Sequence, residues 1–133
     1  MSFSSAFSAA KAYGEVAVQS KLGGGSPHKL IEMLFDGLID SINKARGAMA
    51  RGDIEEKGKA IGKAARILEE GLKAGLNLEQ GGELAANLRN IYDFCIVELT
   101  VANLKNDEAK LVEVLKIIEP VASAWKEIGP QAH

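Results

Sequence analysis

The side chains whose types could do chemistry are two histidines, a single cysteine and a few paired carboxylates. His28 falls in the first turn of a predicted helix and His133 at the chain end, so both are read as surface residues rather than as the exposed mid-helix histidine a phosphotransfer bundle needs. No group of His, Cys and carboxylate residues has zinc or di-iron spacing. Cys95 recurs with apolar neighbours at helical spacing, which reads as a buried, inert thiol, and one cysteine forms no intrachain disulfide. The stretch "EQGGEL" at 79–84 places two glycines before a helix, but it lacks the preceding strand, the lysine and the hydroxyl of a phosphate loop. Glu69 with Glu70, and Asp107 with Glu108, read as solvated charge. The chain is therefore not expected to be an enzyme, and no cofactor or metal is implied.

If the chain carries no chemistry, its elements must present a surface. At 133 residues it has the usual size of one domain, large enough for a core without staples. Hydrophobic content of 47% with three prolines and few aromatics favours helices. A formal charge of −2 leaves no excess of cations to neutralise phosphates, so nucleic acid is not an expected partner. No apolar run reaches the length of a membrane span, and the start "MSFSSAFSAAKAYGEV" lacks the form of a signal peptide, so the expected location is cytoplasmic, without membrane insertion.

Residues 1–25 end in "GGG" and are too thin in apolar residues to fold alone, so they read as a mobile N-terminal arm on a glycine hinge. The arm is expected to fold back over part of a partner groove. Ser26 and Pro27 supply a cap and a first helical position. From there Ile31, Leu34, Phe35, Leu38, Ile42, Ala45 and Met49 step by threes and fours until "RGD". Asp53 and Glu56 make a capping box for a second helix, whose core stripe reads as Ile54, Gly58, Ile61, Ala65, Leu68, Leu72 and Leu76; four glycines should leave it soft. A third helix runs from about Gly82 to Leu104. Asn106 and Asp107 start a fourth, with a break or kink expected at Pro120 and a last segment docking through Val121 and Trp125. The expectation is an all-α, antiparallel up-down four-helix bundle over 26–133, with a short extra C-terminal helix and the arm at 1–25.

Three of these helices carry a second apolar face. The first has Leu30, Met33, Gly37, Ser41 and Ala48; the second has Ala60, Ala64, Ile67, Gly71 and Ala74; the third has Phe94, Val97, Val101 and Leu104. A central helix covered on both sides would account for one such face. Three together suggest a surface that receives another helix, because monomers rarely leave large apolar patches unused. Gly37, in the middle of an apolar run, would then mark a close approach, and Ala64 would line a groove.

The motifs in this order resemble a known family, the flagellin-specific export chaperones called FliS. The similarity rests on "AY" at 12–13, "SPHKLIEMLFDGLI" at 26–39, "ARGAMARGDIEEK" at 45–57, "LNLEQGGELAANLRNIYDF" at 76–94, "ANLKND" at 102–107 and "AWKEI" at 124–128, covering nearly the whole chain. Two departures are "SKLGGGSP", where a Thr-Ala or similar pair more often precedes Ser-Pro, and Phe35, where tyrosine is usual. The resemblance implies a cytoplasmic chaperone that binds the C-terminal segment of flagellin, prevents premature polymerisation, and presents the complex to a component of the export gate. By motif position it implies partner contacts at Tyr13, Leu30, Leu34, Phe35, Gly37, Asn87, Tyr92 and Asn103. An amide such as Asn87 or Asn103 can both donate to and accept from a partner backbone. The competing reading is a scaffold or regulatory bundle that self-associates through the second faces, and homodimerisation of the free chain is left open.

Overall fold

The computed structural model describes Tyr13 and residues 27–128. Among these, α1 (Pro27–Arg51), α2 (Ile54–Arg66), a π-helical stretch (Ile67–Lys73), α3 (Leu78–Lys105) and α4 (Glu108–Ile128) follow one another without a strand. Ser26, the glycine hinge and His133 lie outside the described residues.

Ile31, Phe35, Leu38, Ile42 and Ala45 put the apolar stripe of α1 in the core. The helix stops at Gly52, which takes φ +72°. Its N–H bonds to the Met49 carbonyl at 3.1 Å and that of Asp53 to the Ala48 carbonyl at 2.9 Å, a Schellman closure. Asp53 then caps α2 through Oδ1, which accepts from the Glu56 amide at 3.1 Å. The other half of the expected box is replaced by the Asp53 amide's bond back to α1.

The register between α1 and the second helix is visible in its glycines. A Cβ built at Gly37 would lie 3.4 Å from Ile67 Cδ1, and one built at Gly71 would lie 3.1 Å from Leu34 Cδ2. The same antiparallel register places Ser41 opposite Ala64, Ala45 opposite Ala60 and Ala48 opposite Lys57, and all six are buried. The second faces of the first two helices are thus largely each other's partner. The close approach at Gly37 is made by Ile67 of the same chain.

The expected core stripe of α2 was rotated from the real one. Ile54 is exposed, whereas Ala60, Ala64, Leu68, Leu72 and Leu76, every fourth residue, are buried. In an α-helix of 3.6 residues per turn, each step of four advances about 40° around the axis, so five in a row drift off one face. A π-helix bonds i to i+5 and takes more than four residues per turn, which brings such a series back toward the core. The bond from the Ala74 amide to the Glu69 carbonyl, 3.2 Å, shows that spacing. Gly71 and Gly75, weak helix formers, sit where the helix underwinds.

Asn77 accepts from the Gln80 amide at 3.0 Å to open α3. Gly82 breaks the helical path with φ 55° and ψ −131°, so the regular helix begins where the sequence placed it. At the far end Asn106 takes the left-handed conformation, φ 55°, and ends α3 rather than capping the next helix. The cap of α4 is Asp107, whose Oδ1 accepts from the Ala109 amide at 3.0 Å. Lys57, buried under this turn, donates to the Asn103 carbonyl at 3.0 Å and to Asn106 Oδ1 at 3.1 Å. An ammonium at the carbonyl end of a helix meets both its unpaired acceptors and its dipole.

The expected short extra C-terminal helix is not a separate element. Helix α4 runs through Pro120 to Ile128. Proline removes one helical bond, but Leu111, Val114, Leu115, Ile118 and Trp125 are buried on both sides of it, and that packing carries the helix across. Contacts of opposite chain sense close the ring. Arg46 bonds Glu108 at 3.0 Å and His28 bonds Trp125 at 2.8 Å between α1 and α4; Lys110 bonds Glu98 at 3.2 Å between α4 and α3. The result is an antiparallel up-down four-helix bundle.

Candidate protein-docking site

Opposite its core face, α3 presents residues 87, 90, 94, 97, 101 and 104 at steps of three and four. Asn87 and Asn90 open this seam and Phe94, Val97, Val101 and Leu104 continue it. Val97 is 57% exposed and Leu104 82%, large values for apolar side chains that could have been buried. At 1.5 Å per residue the seam runs about 26 Å. Its charged neighbours are drawn aside. Asp93 bonds Lys73 at 2.7 Å toward the π-helical stretch, and Glu98 bonds Lys110 toward α4. Each of these carboxylates also holds its lysine's ammonium above the usual range, through the hydrogen bond first and the opposite charge second.

A second apolar patch lies at the start of α1, where Leu30 and Met33, the latter 59% exposed, stand beside half-buried Leu34 and Gly37. Along the rest of α1 the same face is closed, because Ser41 and Ala48 are covered by α2. By the α1–α2 register the α1 patch lies at the level of the π-helical stretch and the turn after it, where Gly71 meets Leu34. A rigid globular partner meets either this patch or the α3 seam; an extended chain can wrap across both.

The nine residues singled out in the sequence therefore divide. Leu30, Asn87 and Asn103 are exposed, Leu34 and Gly37 are half-buried, and Tyr13, Phe35, Ala64 and Tyr92 are core residues of this structure. Ala64 does not line an open groove. Small side chains there let α1 approach, and that approach fills the space. Tyr13 corrects the picture of the arm at one point, since it is embedded in the bundle; the remaining residues of 1–25 lie outside the described ones. Its hydroxyl hydrogen-bonds that of Tyr92, and its ring meets Trp125 edge-on with centroids 5.5 Å apart.

Periodicity gave no sign of how His28 and Trp125 pair. His28 is buried, stacks on Trp125 at 5.1 Å and donates from Nε2 to the Trp125 carbonyl, while Trp125 Nε1 donates to the His28 carbonyl at 3.0 Å. These residues are 97 positions apart, which no local pattern reveals. Together Tyr13, Tyr92, Trp125 and His28 tie the start of α1 to the end of α4.

Gly37 offers a direct test of whether backbone access matters. A methyl group there meets Ile67 at ordinary contact distance, so Gly37→Ala is expected to raise stability by about 0.5–1 kcal/mol through helix propensity. Chemical denaturation measures this. A loss of stability would show that the site is tighter than its geometry.

The buried hydroxyls and thiol set the alkaline limit. Burial holds Tyr13 and Tyr92 well above the usual phenol range and pushes the Cys95 thiol up to about 12. The unfolded chain ionises these groups at their ordinary values, about 8.5 for Cys and 10 for Tyr, before the folded chain does. Their contribution is fully present below those values and is lost as pH rises through and beyond them. Thermal melts should show a steepening decline above about pH 9, and Cys95→Ala should move its onset upward.

Among the described residues no cluster of His, Cys, Asp and Glu could hold a metal ion, and no helix is long and apolar enough to cross a membrane. The family model described as "Flagellar protein FliS" matches residues 9–132. A Flagellar secretion chaperone FliS from Salmonella typhimurium is 48% identical over 122 residues, covering 92% of this chain and 90% of that one. One from Vibrio cholerae is 42% identical over 123 residues, covering 92% and 90%, and a Flagellar secretion chaperone FliSB from Pseudomonas aeruginosa is 42% identical over 124 residues, covering 93% and 98%. Nearly the whole bundle is thus shared, including α1, α3 and the Tyr13 position, and the chain belongs to the FliS family of flagellar secretion chaperones, a family of chaperones and not of enzymes.

Proposed function

We propose that the chain binds the C-terminal segment of flagellin in the cytoplasm, keeps it from polymerising early and delivers it to a component of the flagellar export gate. The observation that carries this reading is the pair of exposed apolar surfaces, the α3 seam and the α1 patch. A seam with three-four spacing suits an amphipathic helix, and two patches on different helices suit a partner that folds as it wraps. Ordering such a partner offsets part of the contact energy, which fits a chaperone that must release its client. Leu30, Leu34 and Gly37, with Met33, would contact one segment, and Phe94, Val97, Val101 and Leu104 another, with Asn87 and Asn103 bonding to its backbone. Tyr13, Phe35, Ala64 and Tyr92 would support these surfaces from beneath.

Titration calorimetry with a peptide of the flagellin C-terminal segment tests the reading, and a one-to-one isotherm is the expected result. The alternative, a scaffold that self-associates through the same faces, predicts no heat with that peptide and a sedimentation coefficient that rises with the chain's own concentration.

A further inference from the structure

At the end of the bundle where the α1–α2 and α3–α4 turns meet, a cavity of about 320 Å³ opens, lined by Met49, Gly52, Asp53 and Ile54 together with Lys57 and Asn106. Lys57 is only 6% exposed, so its ammonium has lost most of its water. Two of its three hydrogens go to neutral acceptors, the Asn103 carbonyl at 3.0 Å and Asn106 Oδ1 at 3.1 Å. Among the described residues no carboxylate pairs with it, and Asp53, on the same wall, turns Oδ1 to the Glu56 amide at 3.1 Å. Removing a charge from water is costly unless an opposite charge replaces the lost solvation.

Asn106 adds a second donor. With Oδ1 facing the ammonium, its Nδ2 carries two hydrogens that no described residue accepts. An ammonium and an amide N–H on the wall of one cavity fit a carboxylate, which offers an oxygen to each. The α3 seam ends at Leu104, two residues before Asn106, and its neighbour Asn103 holds Lys57. A segment lying on the seam therefore arrives at this cavity, and a segment that ends a chain brings an α-carboxylate with it. We infer that Lys57 and Asn106 bind the terminal α-carboxylate of the flagellin segment, with its last side chain against Met49 and Ile54, so that the segment runs parallel to α3. This rests on the flagellin reading and adds to it a direction and a fixed end.

The test uses the full chain and two peptides of the flagellin C-terminal segment, one a free acid and one amidated at its terminus, titrated by calorimetry. The acid is expected to bind about ten- to a hundredfold more tightly, the size of a hydrogen bond to a buried charged group. That ratio should persist at high salt, since a buried ammonium is little screened. Asn106→Asp keeps the oxygen to which Lys57 donates and puts a negative oxygen where the amide was. It should leave the melt at or above the parent while erasing the preference, and Lys57→Met should erase the preference as well. Val97→Arg should weaken both peptides and leave their ratio unchanged, which separates this site from the seam. Equal affinities for acid and amide, a preference that vanishes with salt, or one that survives Asn106→Asp would overturn the carboxylate site while the flagellin reading stands. Binding of neither peptide would overturn both.

Discussion

Ala64→Arg is expected to abolish cooperative folding, or to lower the melting temperature by tens of degrees. Ala64 is fully buried where α2 meets α1, opposite Ser41. Six more heavy atoms, two methylene carbons and a guanidinium, would have to fit where two helices touch through small residues. Overpacking of that kind costs about 1–3 kcal/mol, and a buried charge without a partner about 3–5 kcal/mol more. The whole stability of a domain is about 5–15 kcal/mol. Circular dichroism melts measure this directly. A variant that melts near the parent would mean that the two helices part easily and that their facing stripes are accessible after all.

Val97→Arg is expected to do the opposite, leaving the melt within a degree or two while weakening flagellin peptide binding by more than tenfold. Val97 is already in water, and surface changes away from caps and buried networks usually alter stability by less than about 0.5 kcal/mol. Burying a valine at an interface contributes about 1.5 kcal/mol or more, close to a factor of ten in affinity, and the arginine must also be desolvated. Calorimetry on the same protein samples used for the melts gives both numbers. An unchanged affinity would remove the α3 seam from the account.

These two positions also show what a sequence makes legible. Val97 belongs to a stripe nearly opposite a strong core stripe on a long regular helix, and there period alone gave the right exposure. Ala64 belongs to a helix that underwinds, so a wheel drawn at a fixed 100° per residue misassigned it, placing Ile54 inside and Ala64 outside. The turn chemistry at Gly52 and Asp53 was readable because it is local. Asn106 and Asp107 were readable as a boundary but not in their roles, since an asparagine can end one helix as well as begin the next. Pro120 did not break the helix, because the local penalty was overridden by Trp125 and Ile118 packing beyond and before it. Tyr13, His28 and Trp125 come from the two ends of the chain, and only the folded bundle brings them together.

A flagellin segment lying along the α3 seam and the α1 patch would change the surroundings of the methyl groups there. Methyl resonance mapping of the chain labelled at Ile, Leu, Val and Met, before and after adding one equivalent of the flagellin C-terminal peptide, reads this out residue by residue. The largest shifts are expected at Leu30, Met33, Val97, Val101 and Leu104, with smaller ones at the buried Leu72 and Ile118. Shifts spread through the core while Met33 and Val97 stay fixed would mean that the segment binds elsewhere.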